Sequence, residues 1–130
     1  MKFTSTKAHL AARLGLALFM LAPALSQAAG DIKLGGDKFA ENCAECHSLK
    51  EGKNKKGPSL FAAFGRPAAS VAGFKYSEAM KAAKFSWTPE QLDAYLALPK
   101  QAVPGGSMKY DGMGDAHARA DLIAFLTTIK

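Results

Sequence analysis

The sequence predicts a small all-α domain that follows an export signal, and two observations support this fold class. Downstream of residue 28, apolar residues recur at helical spacing, and the segments between them are rich in glycine and proline. No run of alternating apolar and polar residues, which would indicate a strand, stands out in the same region. A domain of about 100 residues buries only about 60–65% of the surface of its unfolded chain, so a large apolar cofactor would add much to its stability.

Residues 1–28 have the composition of a cleaved signal peptide. Three basic residues precede a run of 12 apolar residues at positions 14–25, and small residues precede the cleavage site that we expect after Ala28. Cleavage there would leave a single domain at residues 29–130. The alternative is a retained membrane anchor, but the apolar run is shorter than the roughly 20 residues of a spanning helix and contains Pro23.

The charge of the chain depends on this cleavage. The leader carries three of the 17 Lys and Arg and none of the 11 Asp and Glu, so its removal lowers the formal net charge from +6 to +3. The remaining lysines are interspersed with acidic residues and form no continuous basic stripe. Together with the predicted export, this distribution argues against nucleic acid as a partner.

The first predicted helix spans residues 34–46 and ends with the cysteine motif. Leu34, Phe39 and Cys43 have spacings that place them on its inner side. Glycine and proline recur between residues 49 and 73, and this composition predicts a loop.

Two helices in the middle of the chain have recognisable start signals. Ser77 can cap a short helix. Thr88 can cap the next helix, because Pro89 suits the first helical position and Gln91 completes a capping box. This helix must end near Pro99, since proline in a helix interior removes a hydrogen bond and clashes with the preceding turn.

A final helix is predicted over residues 116–128, after a glycine-rich loop at residues 102–115. Five apolar residues have helical spacing in or beside it: Leu122, Ile123, Phe125, Leu126 and Ile129. The first and last helices each offer an apolar stripe, so we expect them to pack together.

The stretch CAECH contains the only cysteines of the chain, Cys43 and Cys46, followed directly by His47. Such a pair can belong to a zinc site, a redox-active dithiol or a covalently attached haem. Zinc needs four ligands, and His117 is the only further histidine after the leader. A thioredoxin-like dithiol needs the start of a helix that follows a strand, whereas this pair ends a predicted helix.

The haem interpretation uses every residue of the motif. Each thiol adds across a vinyl group, and the histidine after the second cysteine binds the iron. A methionine as the sixth ligand is typical of an electron carrier, whereas an open position allows peroxide or gas binding. Met108 follows Pro104-Gly105-Gly106, a loop that can bring its sulfur to the iron, and Met113 is the second candidate.

Beyond this motif, the chain resembles the soluble class I cytochromes c of the mitochondrial type, in their bacterial periplasmic form. The resemblance rests on six ordered blocks: GGDKFAENCAECHSL, KGPSLFAAFGR, FKYSEAM, FSWTPEQLDAYLALPK, VPGGSM and RADLIAFL. It implies about four to five helices wrapped around one covalently bound haem c, with the N- and C-terminal helices packed together.

The resemblance also implies a role for each of nine residues. Cys43 and Cys46 would attach the haem, and His47 and Met108 would be its axial ligands. The carbonyl of Pro58 would accept a hydrogen bond from the outer ring nitrogen of the histidine. Arg66, Tyr76 and Trp87 would donate hydrogen bonds to the inner haem propionate. Tyr95 would lie near the methionine sulfur.

The function implied is that of a monomeric one-electron carrier, not an enzyme. Its partners would be redox proteins such as a quinol-oxidising cytochrome complex, a terminal oxidase, a dehydrogenase or a reaction centre. An acidic partner surface would be steered by the lysines that flank the haem-bearing segments: Lys50, Lys53, Lys55, Lys56, Lys100 and Lys109. The alternative is a haem protein whose methionine ligand is labile and which acts on peroxide or senses a gas.

Overall fold

The computed structural model describes residues 29–130, and the predicted leader therefore lies outside the described residues. The described part contains helices and no strand, apart from one isolated bridge between Pro67 and Ser86. The predicted all-α class is confirmed. The five helices are α1 Ile32–Asn42, α2 Glu78–Ala82, α3 Pro89–Ala97, α4 Pro99–Ala102 and α5 Ala116–Thr127.

Side-chain caps determine where most of these helices begin. The Ser77 hydroxyl accepts a hydrogen bond from the backbone N–H of Met80 at 3.2 Å, and the Thr88 hydroxyl accepts one from Gln91 at 3.1 Å. Both caps agree with the sequence prediction. Asp115 caps α5 in the same way, since its carboxylate accepts hydrogen bonds from two backbone N–H groups of the first turn.

The first helix differs from the prediction at both ends. It begins at Ile32, because the Asp31 carboxylate accepts hydrogen bonds from the backbone N–H groups of Lys33 and Leu34, and it ends at Asn42, before the cysteines. The expectation that Leu34 lies on the inner side was wrong, because half of this residue is exposed. The short helix α4 was not predicted; there Pro99 is a first helical residue as well as the stop signal for α3.

The predicted packing of the first and last helices is confirmed, and Gly35 permits it. A β-carbon on Gly35 would lie 2.0 Å from the Asp121 carbonyl oxygen, so only glycine allows the two backbones to approach this closely. Next to this contact, the rings of Phe39 and Phe125 lie 5.9 Å apart between centroids.

The buried apolar residues form two clusters with a cavity between them. The first contains Phe39, Leu96, Met113, Leu122 and Leu126, and the second contains Met80, Tyr95 and Val103. Members of both clusters line the cavity. Among the described residues, no helix is both long enough and apolar enough to span a membrane.

Candidate functional site

The cavity between the two clusters is lined by residues from almost every part of the described chain. Its volume is about 440 Å³, which is within the range of about 300–1,000 Å³ that is common for ligand and cofactor sites. All nine residues that the sequence singled out line this cavity, although they are spread over 66 positions of the chain: Cys43, Cys46, His47, Pro58, Arg66, Tyr76, Trp87, Tyr95 and Met108.

The cysteine motif forms a tight turn after α1. The backbone N–H groups of Cys46 and His47 both donate to the Cys43 carbonyl, at 3.0 and 2.8 Å. This turn places both sulfurs and the imidazole along one wall of the cavity. Burial raises the pKa of the Cys43 thiol to about 11. A redox-active dithiol depends on a lowered thiol pKa, so the environment of Cys43 disfavours the dithiol interpretation.

The described residues also disfavour the zinc interpretation. Among residues 29–130, no three His, Cys, Asp or Glu side chains converge in a way that could hold a metal ion. His117, the histidine that a zinc site would need, lies exposed at the start of α5. A structural zinc site with four protein ligands is therefore not assembled in this part of the chain.

The imidazole of His47 is fixed by two consecutive residues of the following loop, Gly57 and Pro58. The distance between His47 Nδ1 and the Pro58 carbonyl oxygen is 2.8 Å. Because a carbonyl oxygen only accepts, Nδ1 carries the proton and donates, and Nε2 keeps its lone pair. Burial lowers the pKa of His47, although the bond to Pro58 opposes this change. The neutral imidazole is therefore favoured, and this is the form that binds metals.

Gly57 lies directly against the same imidazole. A β-carbon on Gly57 would lie 2.4 Å from His47 Cε1, which is closer than any van der Waals contact. The Gly57 backbone N–H donates to the Cys46 carbonyl at 2.7 Å and fixes the glycine in place. The need for glycine at this position was not predicted, and only its place directly before Pro58 hinted at it.

The two candidate methionines occupy different places. Met108 lines the cavity, and the Tyr95 hydroxyl donates to its sulfur at 3.8 Å. Met113 belongs to the first buried cluster, and its backbone N–H donates to the Leu96 carbonyl at 2.8 Å. Of the two, Met108 is the one whose sulfur is available to a group bound in the cavity.

The loop that carries Met108 is held at its far end by Arg119. The Arg119 guanidinium donates to the carbonyls of Met113 and Gly114, at 2.8 and 3.1 Å. It also donates through Nε to the Asp93 carboxylate at 2.7 Å, so one side chain joins the loop, α3 and α5. This role was missed in the sequence, where the only signal was a single arginine in the first turns of the last helix.

Arg66 and Trp87 lie side by side on a third part of the wall. The backbone N–H of Trp87 donates to the Arg66 carbonyl at 2.9 Å, beside the bridge between Pro67 and Ser86. Trp87 also packs edge-on against Tyr95, with 5.2 Å between ring centroids.

The Arg66 guanidinium has a buried N–H group without a hydrogen-bond partner among the described residues. Its Nη2 donates to the Ser59 carbonyl at 3.1 Å, whereas Nε is buried and has no hydrogen-bond partner among the described residues. Buried donors are rarely left without an acceptor, so this atom fits a cofactor that brings a carboxylate into the cavity. The cavity volume, the cysteine pair and this donor together fit a haem.

The comparisons with known proteins point to one family. The cytochrome c family model matches residues 32–130. The chain is 49% identical over 100 residues to the cytochrome c-type cyt cy of Rhodobacter capsulatus; the match covers 77% of this chain but only half the length of that relative. It is 42% identical over 101 residues to the cytochrome c2 of Rhodopila globiformis, covering 78% of this chain and 95% of that protein.

A solved structure agrees with these relatives. Cytochrome cH from Methylobacterium extorquens is 36% identical, and it matches 76% of this chain and 99% of its own chain with a TM-score of 0.71. The family match covers all five helices, and the Cys43–Cys46 pair has the spacing by which this family holds its cofactor. The chain therefore belongs to the class I cytochromes c, monohaem electron carriers that bind haem c through their cysteine pair.

Proposed function

We propose that the protein is a periplasmic one-electron carrier in which His47 and Met108 are the axial ligands of a haem attached through Cys43 and Cys46. The observation that carries this proposal is the convergence of these four side chains on one cavity. Bound there, the haem supplies an iron that accepts and releases one electron.

The residues around His47 prepare it for this role. The bond to the Pro58 carbonyl keeps the proton on Nδ1 and leaves Nε2 free to coordinate. The contact with Gly57 prevents the ring from moving away from the cavity. This wall holds the ligand in one tautomer and one position.

Three residues are proposed to receive the inner propionate: Arg66, Tyr76 and Trp87. All three line the cavity, and the spare Nε–H of Arg66 is a buried donor for a carboxylate. The Tyr76 hydroxyl accepts a hydrogen bond from the Val71 backbone N–H at 3.3 Å, which leaves its own O–H free to donate. A buried carboxylate is costly unless such donors surround it.

The proposed periplasmic location is supported by the composition of residues 1–28 and by the bacterial origin of several relatives. The partners would be redox proteins such as a quinol-oxidising complex, a terminal oxidase, a dehydrogenase or a reaction centre. They would dock where the cavity opens, because Lys56 and Lys109 line the cavity and are exposed.

The test is a redox titration of the haem-loaded protein, followed by addition of carbon monoxide to the reduced form. We expect a reversible one-electron titration and an optical spectrum that carbon monoxide leaves unchanged, because the Met108 sulfur fills the sixth position. A matched pair of variants provides the control: Met108→Leu should bind carbon monoxide and Met113→Leu should not. Binding by the unaltered protein would contradict the carrier proposal and favour a gas-binding or peroxide-reactive haem.

A further inference from the structure

Two exposed ion pairs contain, or directly follow in sequence, residues that line the cavity, and each links separate parts of the chain. Lys56 Nζ bonds the carboxylate of Glu45, which directly precedes the second cysteine. Lys100 Nζ bonds Asp111 at 2.7 Å, just beyond Met108 and Lys109. In both cases the partners are 11 positions apart. We call Lys56–Glu45 and Lys100–Asp111 the rim pairs.

The rim pairs differ in sequence separation from the other two lysine–carboxylate ion pairs of the described chain. Lys38–Glu41 and Lys81–Glu78 each join residues three positions apart within one helix. The rim pairs instead use two of the six lysines expected to attract an acidic partner. Each lysine lowers the pKa of its own carboxyl, mainly through the side-chain hydrogen bond, so Glu45 and Asp111 stay ionised at neutral pH.

The effect of these pairs lies in the electric field at the opening. All four side chains are largely exposed, and exposed ion pairs contribute little to stability. A carboxylate in contact with a lysine cancels most of its field at distances beyond a few ångströms. Of the two exposed lysines that line the cavity, an approaching partner therefore meets Lys56 as part of a nearly neutral ion pair and Lys109 as a lysine with no carboxylate partner among the described residues.

We propose that Glu45 and Asp111 set the specificity of docking by masking Lys56 and Lys100. The surface then fits a redox protein whose docking face is sparsely charged, with a carboxylate opposite Lys109 and none opposite Glu45 or Asp111. A face densely covered with acidic groups would gain little attraction from the two neutralised lysines. This inference rests on the proposed docking at the cavity opening.

The first experiment measures the local field with small one-electron oxidants and the reduced, haem-loaded protein. The variants are Glu45→Gln and Asp111→Asn, and Glu90→Gln is the charge-matched control. Glu90 lines a separate groove with Ala29, Gly30 and Ala120, none of which lines the cavity.

At low ionic strength, each rim variant should react about two to five times faster than the unaltered protein with an anionic oxidant, and correspondingly slower with a cationic one. The Glu90→Gln control should change these rates much less. The rate differences between the rim variants and the unaltered protein should disappear in about 0.5 M salt. Equal effects of rim and control variants would overturn the proposal. A neutral oxidant tests the proposed function separately from the masking proposal. If the neutral reagent cannot oxidise the reduced protein, the carrier proposal itself fails.

The second experiment tests the kind of partner by titrating the haem-loaded protein with polyglutamate, a densely acidic chain. The double variant Glu45→Gln with Asp111→Asn should bind it about tenfold more tightly than the unaltered protein at low salt, since each substitution leaves one lysine charge without its masking carboxylate. The Glu90→Gln control should bind it about as weakly as the unaltered protein. Binding by the unaltered protein as tight as that of the double variant would overturn the proposal.

Discussion

The two walls of the cavity are built in different ways. The histidine wall, residues 43–58, fixes its proposed ligand through contacts between residues close in sequence: the turn at the cysteines, Gly57 and the Pro58 carbonyl. The methionine wall, residues 103–115, depends on contacts with α3, α4 and α5. Local contacts persist when helices separate and tertiary contacts do not, so we expect the methionine wall to loosen first.

The backbone of the methionine wall adds to this difference. Gly105 and Gly112 have φ angles of +84° and +112°, which residues with a side chain rarely adopt. Glycines give the loop a larger choice of conformations when it is released, so closing it costs more entropy. The two side chains that mainly oppose this release are Tyr95 and Arg119.

The largest effect is expected when the histidine wall itself is disturbed. Gly57→Ala would place a β-carbon 2.4 Å from the His47 ring and displace it from the Pro58 carbonyl. We expect the free energy of unfolding to fall by about 3 kcal/mol, a typical upper value for overpacking. Denaturant unfolding of the haem-loaded protein measures this loss in the free energy of unfolding.

Gly114→Ala is the matched control for this substitution. Nothing lies within 4 Å of a β-carbon at Gly114, and this glycine is in the methionine wall. The unfolding free energy should stay within about 0.5 kcal/mol of that of the unaltered protein, as for most surface substitutions. Equal losses for both alanine variants would mean that the fit around His47 does not depend on glycine.

A smaller effect is expected from Arg119→Gln, which removes the side chain that joins the loop to α3 and α5. The loss of hydrogen bonds to Met113, Gly114 and Asp93 should cost about 2 kcal/mol. The near-infrared band of the iron–methionine bond should disappear at a lower denaturant concentration than in the unaltered protein.

Asp93→Asn distinguishes the charge of this contact from its hydrogen bonds to the loop. The Asp93 side chain is 44% exposed, and the bonds from Arg119 to the two carbonyls remain in this variant. We expect a loss of less than about 1 kcal/mol. If Asp93→Asn were as damaging as Arg119→Gln, the ion pair and not the hold on the loop would explain the effect.

The smallest effect is expected from Tyr95→Phe, which removes the hydroxyl near the Met108 sulfur. The bond is long, at 3.8 Å, and sulfur is a weak acceptor, so we expect a loss of about 0.5 kcal/mol. The change should be visible in the denaturant midpoint of the near-infrared band and barely in overall unfolding. A loss above about 2 kcal/mol would mean that Tyr95 does more for the loop than this one bond.

The contrast between the walls also explains what could be predicted from the sequence. The caps at Ser77 and Thr88 depend on neighbouring residues, so their patterns are visible in the chain. The packing of the first and last helices was visible as two apolar stripes. These features account for the fold class, whereas the turn at the cysteines was predicted as helix and the need for Gly57 was not predicted.

The features that were missed depend on tertiary contacts. The carbonyls that Arg119 reaches belong to a loop whose path only the folded chain defines. The exposure of Leu34 follows from the rotation of α1 around the close contact at Gly35. Lys56 and Lys100 were predicted as docking charges, because their contacts with Glu45 and Asp111 depend on the path of the loops in the folded chain.

The most direct test of the account is the near-infrared spectrum of the oxidised, haem-loaded protein and of two volume-matched variants, Met108→Leu and Met113→Leu. Met108 lines the cavity and Met113 is buried in the first cluster. We predict that the iron–methionine band is present in the unaltered protein, is lost in Met108→Leu and remains in Met113→Leu. Loss of the band in Met113→Leu with retention in Met108→Leu, or its absence from the unaltered protein, would contradict the assignment of the two walls.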